Sequence, residues 1–167
     1  VLGDPEDPCH DFDTVTLAHG ISVIDSPEAV AEAASRVEGA EQERQRELAH
    51  RRDLRELTVV TIDPDEARDF DDAVSIEALP TGELRLGVHI ADVAHYVQLG
   101  GAVDDQARQR ATSVYLLDKV VHMLPRGLAA DLCTLAPRED RLAVSVFLDI
   151  DGGGRVQQSS FCLSVIR

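Results

Sequence analysis

The chain has 167 residues, 44% hydrophobic and 28% charged, which suits one globular domain with a real core and excludes a disordered chain. Its formal net charge of −15 argues, taken alone, against a nucleic-acid binder, because such proteins present basic surface to phosphate. No apolar run reaches membrane-spanning length, no charged-then-apolar leader opens the chain, and Cys9, Cys133 and Cys162 lack the spacing of a zinc site or disulfide framework. A soluble protein of the reducing cytoplasm is therefore expected. Because the chain begins on Val1 instead of Met, it is also expected to be a piece of a longer protein.

Residues 1–25, with two prolines and five aspartates, read as an irregular lead-in with room for one short element. Ser26, Pro27 and Glu28 then supply an N-cap, a first-turn proline and an early acid, and AVAEAASRV carries a helix to Gly39. The charged EQERQRELAHRRDLREL reads as a second solvated helix or connector, in which Glu47–Arg51 is a supporting pair and Glu43–Glu47 an opposing one. Residues 1–56 thus form a helical approach segment. From Leu57 the pattern turns to β, in LTVVTID, DAVSIEAL, ELRLGVHIAD, TSVYLL and KVVHML, with a turn at Pro80-Thr81-Gly82. Helices are expected over 102–111, after Gly100-Gly101, and over 125–133, opened by Pro125. The chain closes on a hairpin, RLAVSVFLDI and RVQQSSFCLSVIR, joined by Asp151-Gly152-Gly153-Gly154. Its last run would leave a sheet edge unless more sequence follows.

The stretch TIDPDEARDFDD places Asp63, Asp65, Glu66, Asp69, Asp71 and Asp72 within ten positions, between apolar runs. Two carboxylates ~4 Å apart repel by about 4 kcal/mol at an effective dielectric near 20, so a group of them beside a core calls for a neutralising cation. Magnesium, which takes oxygen ligands and keeps some water, answers that demand. An extended strand would hold Asp63 and Asp69 about 20 Å apart, so Pro64 to Arg68 must loop back. In a regular strand Asp69 and Asp71 share a face and Asp72 points away, so one site for all three requires an irregular backbone at DFDD.

A solvated acidic loop is the bland alternative, disfavoured by VVTI before the run and AVSI after it. An EF-hand fails because Ala67 and Arg68 stand where an oxygen ligand and glycine are needed, and Val74 replaces the closing Glu. A haloacid-dehalogenase-type phosphotransferase would use Asp63 as nucleophile and Asp65 as acid/base, but Ala67 stands where that motif wants Thr or Val.

The blocks VLGDPEDP, RRDLRELTVVTID, ARDFDDAVSIE, GVHIADVAHYV, ATSVYLLDKVVHMLP, LCTLAP and DRLAVSVFLDID resemble, in order, the ribonuclease II and ribonuclease R exoribonucleases, over the first part of their RNB catalytic domain. The resemblance implies an α+β fold: a mixed, largely antiparallel sheet with flanking helices, over residues 57–167. It also implies a magnesium-dependent hydrolase that degrades single-stranded RNA from its 3′ end to nucleoside 5′-monophosphates. The family's four catalytic aspartates match Asp63, Asp69, Asp71 and Asp72. They would hold two Mg2+ ions, or Mn2+, with Asp63 and Asp72 as the most direct ligands and the other two completing the cluster or positioning water. Tyr115 matches a tyrosine that stacks on RNA, against the alternative of an ordinary core tyrosine.

Among the other candidates, Phe70 reads as a core anchor and His89 and His95 as packed or hydrogen-bonded histidines. Arg110 and Lys119 are candidate phosphate contacts or ordinary surface charges. Two departures stand out: His122 replaces a common proline, and the family's later arginine and glutamate, with its flanking OB-fold domains, are absent. A fragment centred on metal can be acidic while basic surface lies elsewhere in the full protein. The implied partner is single-stranded RNA, with no membrane; a non-catalytic RNA-binding module of the same fold is the reading from another functional class.

Overall fold

The computed structural model describes residues 11–65, 67–116 and 119–167; the rest of the lead-in with Cys9, and Glu66, Leu117 and Asp118, lie outside it. The lead-in contains α1, Asp11–Ala18, and then turns through Gly20 at φ +65°, where Ile21 N–H closes onto Thr16 O at 2.8 Å. Helix α2, Pro27–Glu47, starts where the sequence placed it: Ser26 Oγ accepts from Ala29 N–H, with Pro27 in the first turn. It does not stop at Gly39. A helical glycine costs about 1 kcal/mol relative to alanine, and burial of Ala29, Ala33 and Ala40 along one stripe of α2 outweighs it.

Among the described residues, seven strands follow: β1, Arg52–Asp53; β2, Asp72–Ala78; β3, Leu84–Ala91; β4, Val114–Leu116; β5, Lys119–Val121; β6, Arg141–Ile150; and β7, Val156–Ile166. Between them lie α3, Val93–Tyr96, α4, Ala102–Arg110, and a π-helical turn, Gly127–Leu132. The main sheet has the order β1-β7-β6-β3-β2, antiparallel throughout except for the parallel β1–β7 pair, and β4–β5 is a separate ribbon. This is the expected α+β arrangement with a mixed sheet. LTVVTID does not form a strand of its own. It meets β2 at one bridge, Val60–Val74. The expected α-helix over 125–133 is instead the wider π-turn, in which Cys133 N–H reaches Leu128 O and Leu128 and Leu132 are buried.

One sheet face is buried against α2, α4 and the π-turn, in a core that includes Ala33, Leu128, Ala143 and Phe147. That face also carries a polar ladder: His89 Nδ1 lies 2.7 Å from Ser145 Oγ, His89 Nε2 3.0 Å from Ser75 Oγ, and Ser145 Oγ 2.6 Å from Ser164 Oγ. Burial pushes the His89 pKa down, so the ring is a packed, neutral hydrogen-bonder. Gly87 is required beside it, since a Cβ there would meet Ser75 Oγ at 2.3 Å. Arg51, almost fully buried, ties α2 to the sheet through Glu47 at 2.9 Å and Asp92 at 2.7 Å, and His95 Nδ1 lies 3.3 Å from its Nη2. Among the described residues no helix is long and apolar enough to cross a membrane.

Candidate active site

The acidic stretch is bent by its neighbours. The Val60–Val74 bridge brings the chain before the acids alongside the strand after them, and Ala67 N–H closes a turn onto Pro64 O at 2.9 Å. Asp63 comes near enough for its charge to act on the Asp71 carboxyl. Residues 67–71 form no strand; regular pairing starts at Asp72, opposite Ile90. The irregular segment is held by its backbone. Phe70 N–H donates to Thr134 Oγ1 at 2.8 Å, Leu135 N–H donates to Phe70 O at 2.9 Å, and Ala91 N–H donates to Asp71 O at 2.9 Å. Phe70 itself packs against the core, as an anchor would.

Asp69 and Asp71 line a cavity of about 290 Å³ together with Ile90, Ser113, Met123 and Cys133. Tyr115, on β4, donates its hydroxyl to Asp69 Oδ2 at 2.6 Å, and His122 Nδ1 stands 3.6 Å from the same oxygen. Tyr115 is not a core residue: it is 63% exposed, which leaves its ring accessible while the hydroxyl is pinned. The hydrogen bond to Asp69, followed by dehydration and the charges of Asp69 and Asp71, pushes that hydroxyl up to about 12. The Asp71 carboxyl is also raised from its ordinary value, first by dehydration in the concavity, then by the negative charges of Asp69, Asp72 and Asp63; His122 acts in the opposite direction.

Asp63 and Asp72, exposed like Asp71, act on the Asp71 carboxyl through their charges, without lining the cavity. Among the described residues no three His, Cys, Asp or Glu side chains form a ready metal cage. The donor chemistry nevertheless fits a hard divalent ion. Carboxylate oxygens are its natural ligands, and a carboxyl whose ionisation three neighbouring acids oppose gains from a cation.

The two basic candidates are placed differently from either expectation. Arg110 is neither a surface charge nor turned to the acids: its side chain is 7% exposed and pairs with Asp25 at 2.6 Å. Lys119 Nζ lies 4.5 Å from the centroid of the Phe12 ring. Three contributors carry no signal in the sequence: Thr134, His122 as a neighbour of Asp69, and Asp25 as the partner of Arg110. The LCTLAP block contains Thr134, but nothing in its spacing points to Phe70, 64 residues away. The phosphotransferase alternative lacks its scaffold, since Asp63 ends no strand and the sheet's one parallel pair is β1–β7.

Comparisons with known proteins place the chain in a family. The family profile described as RNB domain matches residues 51–167. The chain is 45% identical over 168 residues to ribonuclease R of Thermotoga maritima, covering 100% of this chain and 23% of that protein. It is 40% identical over 167 residues to ribonuclease R of Aquifex aeolicus, again covering 100% of this chain and 23% of that protein. Mycoplasma genitalium RNase R, solved in complex with ribose-methylated single-stranded RNA, superimposes with a TM-score of 0.82 at 32% identity, over 99% of this chain and 25% of that one. The chain therefore spans under a quarter of the length of these curated relatives. With seven-tenths of its residues inside the profile and ribonuclease R relatives aligned along its whole length, the chain belongs to the RNB domain family of ribonuclease II and ribonuclease R.

Proposed function

We propose that the protein to which this chain belongs is a 3′-to-5′ exoribonuclease that hydrolyses single-stranded RNA to nucleoside 5′-monophosphates, and that this chain supplies its acidic centre. The observation that carries the reading is the hydrogen bond from Tyr115 to Asp69, which joins an exposed aromatic ring to a cluster of mutually repelling carboxylates. The ribonuclease R relatives, and the complex of one with single-stranded RNA, support the same substrate class.

Asp63 and Asp72 are the most direct candidates to hold Mg2+ or Mn2+, with Asp69 and Asp71 completing the set or orienting the attacking water. Two such ions, when bound, activate water, neutralise charge on the phosphate and support the leaving 3′ oxygen. Tyr115 gives the terminal nucleotide a stacking surface that is blind to base identity, worth roughly 1–3 kcal/mol per base. The pinned hydroxyl fixes that ring relative to Asp69, so the stacked base and the carboxylates keep one separation. The chain's negative charge is no obstacle, because the acids face cations and flanking OB-fold domains would supply affinity for the RNA backbone.

The test is Asp72→Asn in the full-length protein. Cleavage of a 3′-labelled single-stranded RNA is expected to fall by at least ~10³-fold, on the scale of losing a principal electrostatic contact, while RNA binding persists. Normal cleavage by this variant would remove Asp72 from the metal site, and a wild-type protein that binds RNA without degrading it under Mg2+ would make the fold a binding module.

A further inference from the structure

Arg110 is a buried guanidinium at the end of α4, and what it touches is the back of the β4–β5 ribbon. Its Nη1 donates to Asp25 Oδ1 at 2.6 Å and to the backbone carbonyl of His122 at 2.8 Å. His122 follows β5 directly, and its ring stands beside the Asp69 oxygen that Tyr115 bonds. The ribbon has two faces. The cross-strand pair Val114 and Val121 lines the same cavity as Arg110 and Asp25, whereas Tyr115, one residue on, points to the acids from the opposite face.

A ribbon with three residue pairs is too short to hold its own shape, so its position depends on what bonds it from outside. The bond to the carbonyl after β5 comes from Arg110, and Arg110 and α4 are in turn held by residues that precede the RNB match. Gln106 Nε2 donates to Asp25 Oδ1 at 2.9 Å, Ser26 N–H donates to Gln106 Oε1 at 2.9 Å, and Glu32 Oε2 accepts from Ala102 N–H at 2.7 Å, where α4 begins. At the ribbon's tip, the ring of Phe12 in α1 lies under Lys119. The segment before residue 51 therefore grips both α4 and the ribbon.

We propose that Arg110 is a positioning residue for RNA cleavage: seated by Asp25, it fixes the β4–β5 ribbon so that Tyr115 meets Asp69. The segment before residue 51 is then part of the active unit and not a linker to it. Both bonds leave the single nitrogen Nη1, so a lysine ammonium has donors enough for both acceptors but, on a side chain one atom shorter, reaches them only in part. This role rests on the ribonuclease reading for its activity consequence and on geometry alone for its structural one.

The experiment uses the full-length protein with 3-fluorotyrosine at position 115, read by fluorine NMR, beside single-stranded RNA degradation by the unlabelled protein. Arg110→Met is expected to move the fluorine resonance and to lower kcat/KM about 10- to 100-fold, the scale of a displaced contact. Arg110→Lys is expected to recover part of both, and Arg108→Met, an exposed control on the same helix, to change neither. Tyr115→Ala, damaging alone, is expected to add less than about twofold in the Arg110→Met background, because both changes remove one interaction. An unmoved resonance, or losses that multiply, would overturn the proposal. If the wild-type protein degrades no RNA, the ribonuclease reading falls and the fluorine resonance alone decides. If Arg110→Met does not fold, Asp25→Asn carries the same readout.

Discussion

Asp71 has the strongest chemical demand for a cation. Dehydration and the charges of Asp69, Asp72 and Asp63 raise its carboxyl above the ordinary 3.8, so the folded chain binds that proton more readily than the unfolded chain. Without a divalent ion, this group's contribution to stability rises as pH falls from the raised value towards 3.8, and its penalty is complete at pH above the raised value. Metal-free Asp71→Asn is therefore expected to melt higher than the wild type at pH 7, and Mg2+ to raise the wild-type melting temperature more than the variant's. Thermal melts with Mg2+ and with EDTA check both; an equal gain in the two proteins would exclude Asp71 from the ion's surroundings. The demand was legible in the sequence because acids crowded between two apolar runs repel one another until a cation joins them. The bond from Tyr115 to Asp69 was not, since it joins residues 46 apart through a ribbon whose placement depends on Arg110.

At the scale of elements, the site depends on an irregular segment fastened from outside. Thr134→Val is expected to leave Phe70 N–H without its acceptor, costing about 1–3 kcal/mol in urea unfolding and loosening Asp69 and Asp71 enough to slow RNA cleavage. Thr134→Ser, which keeps the hydroxyl, is the control; equal stability of all three proteins would show that this bond does not hold the segment. The long strands were legible because alternation is local: β2, β3, β6 and β7 all lie where the pattern put them. Gly39 misled because helix propensity is a weak signal beside the burial of Ala33 and Ala40, and LTVVTID misled because β-propensity alone does not extend a single bridge into a ladder. The requirement for irregular backbone at DFDD came from counting strand faces, and the structure has no strand there before Asp72.

For the whole molecule, the chain spans under a quarter of the length of its ribonuclease R relatives. The 167-residue chain alone is accordingly expected to show little or no RNA hydrolysis, measured against the full-length protein on the same labelled substrate; turnover at the full-length rate would mean that the acidic centre needs no help. The central claim is that Asp63, Asp69, Asp71 and Asp72 gather divalent ions where RNA is cut. Its most direct test is an anomalous difference map from crystals of the full-length protein grown with Mn2+ and an uncleavable RNA. Manganese within about 2.0–2.4 Å of Asp63 and Asp72 carboxylate oxygens, with Asp69 and Asp71 beside it, is the expected result. Manganese bound only elsewhere, with these four carboxylates unligated, would contradict it.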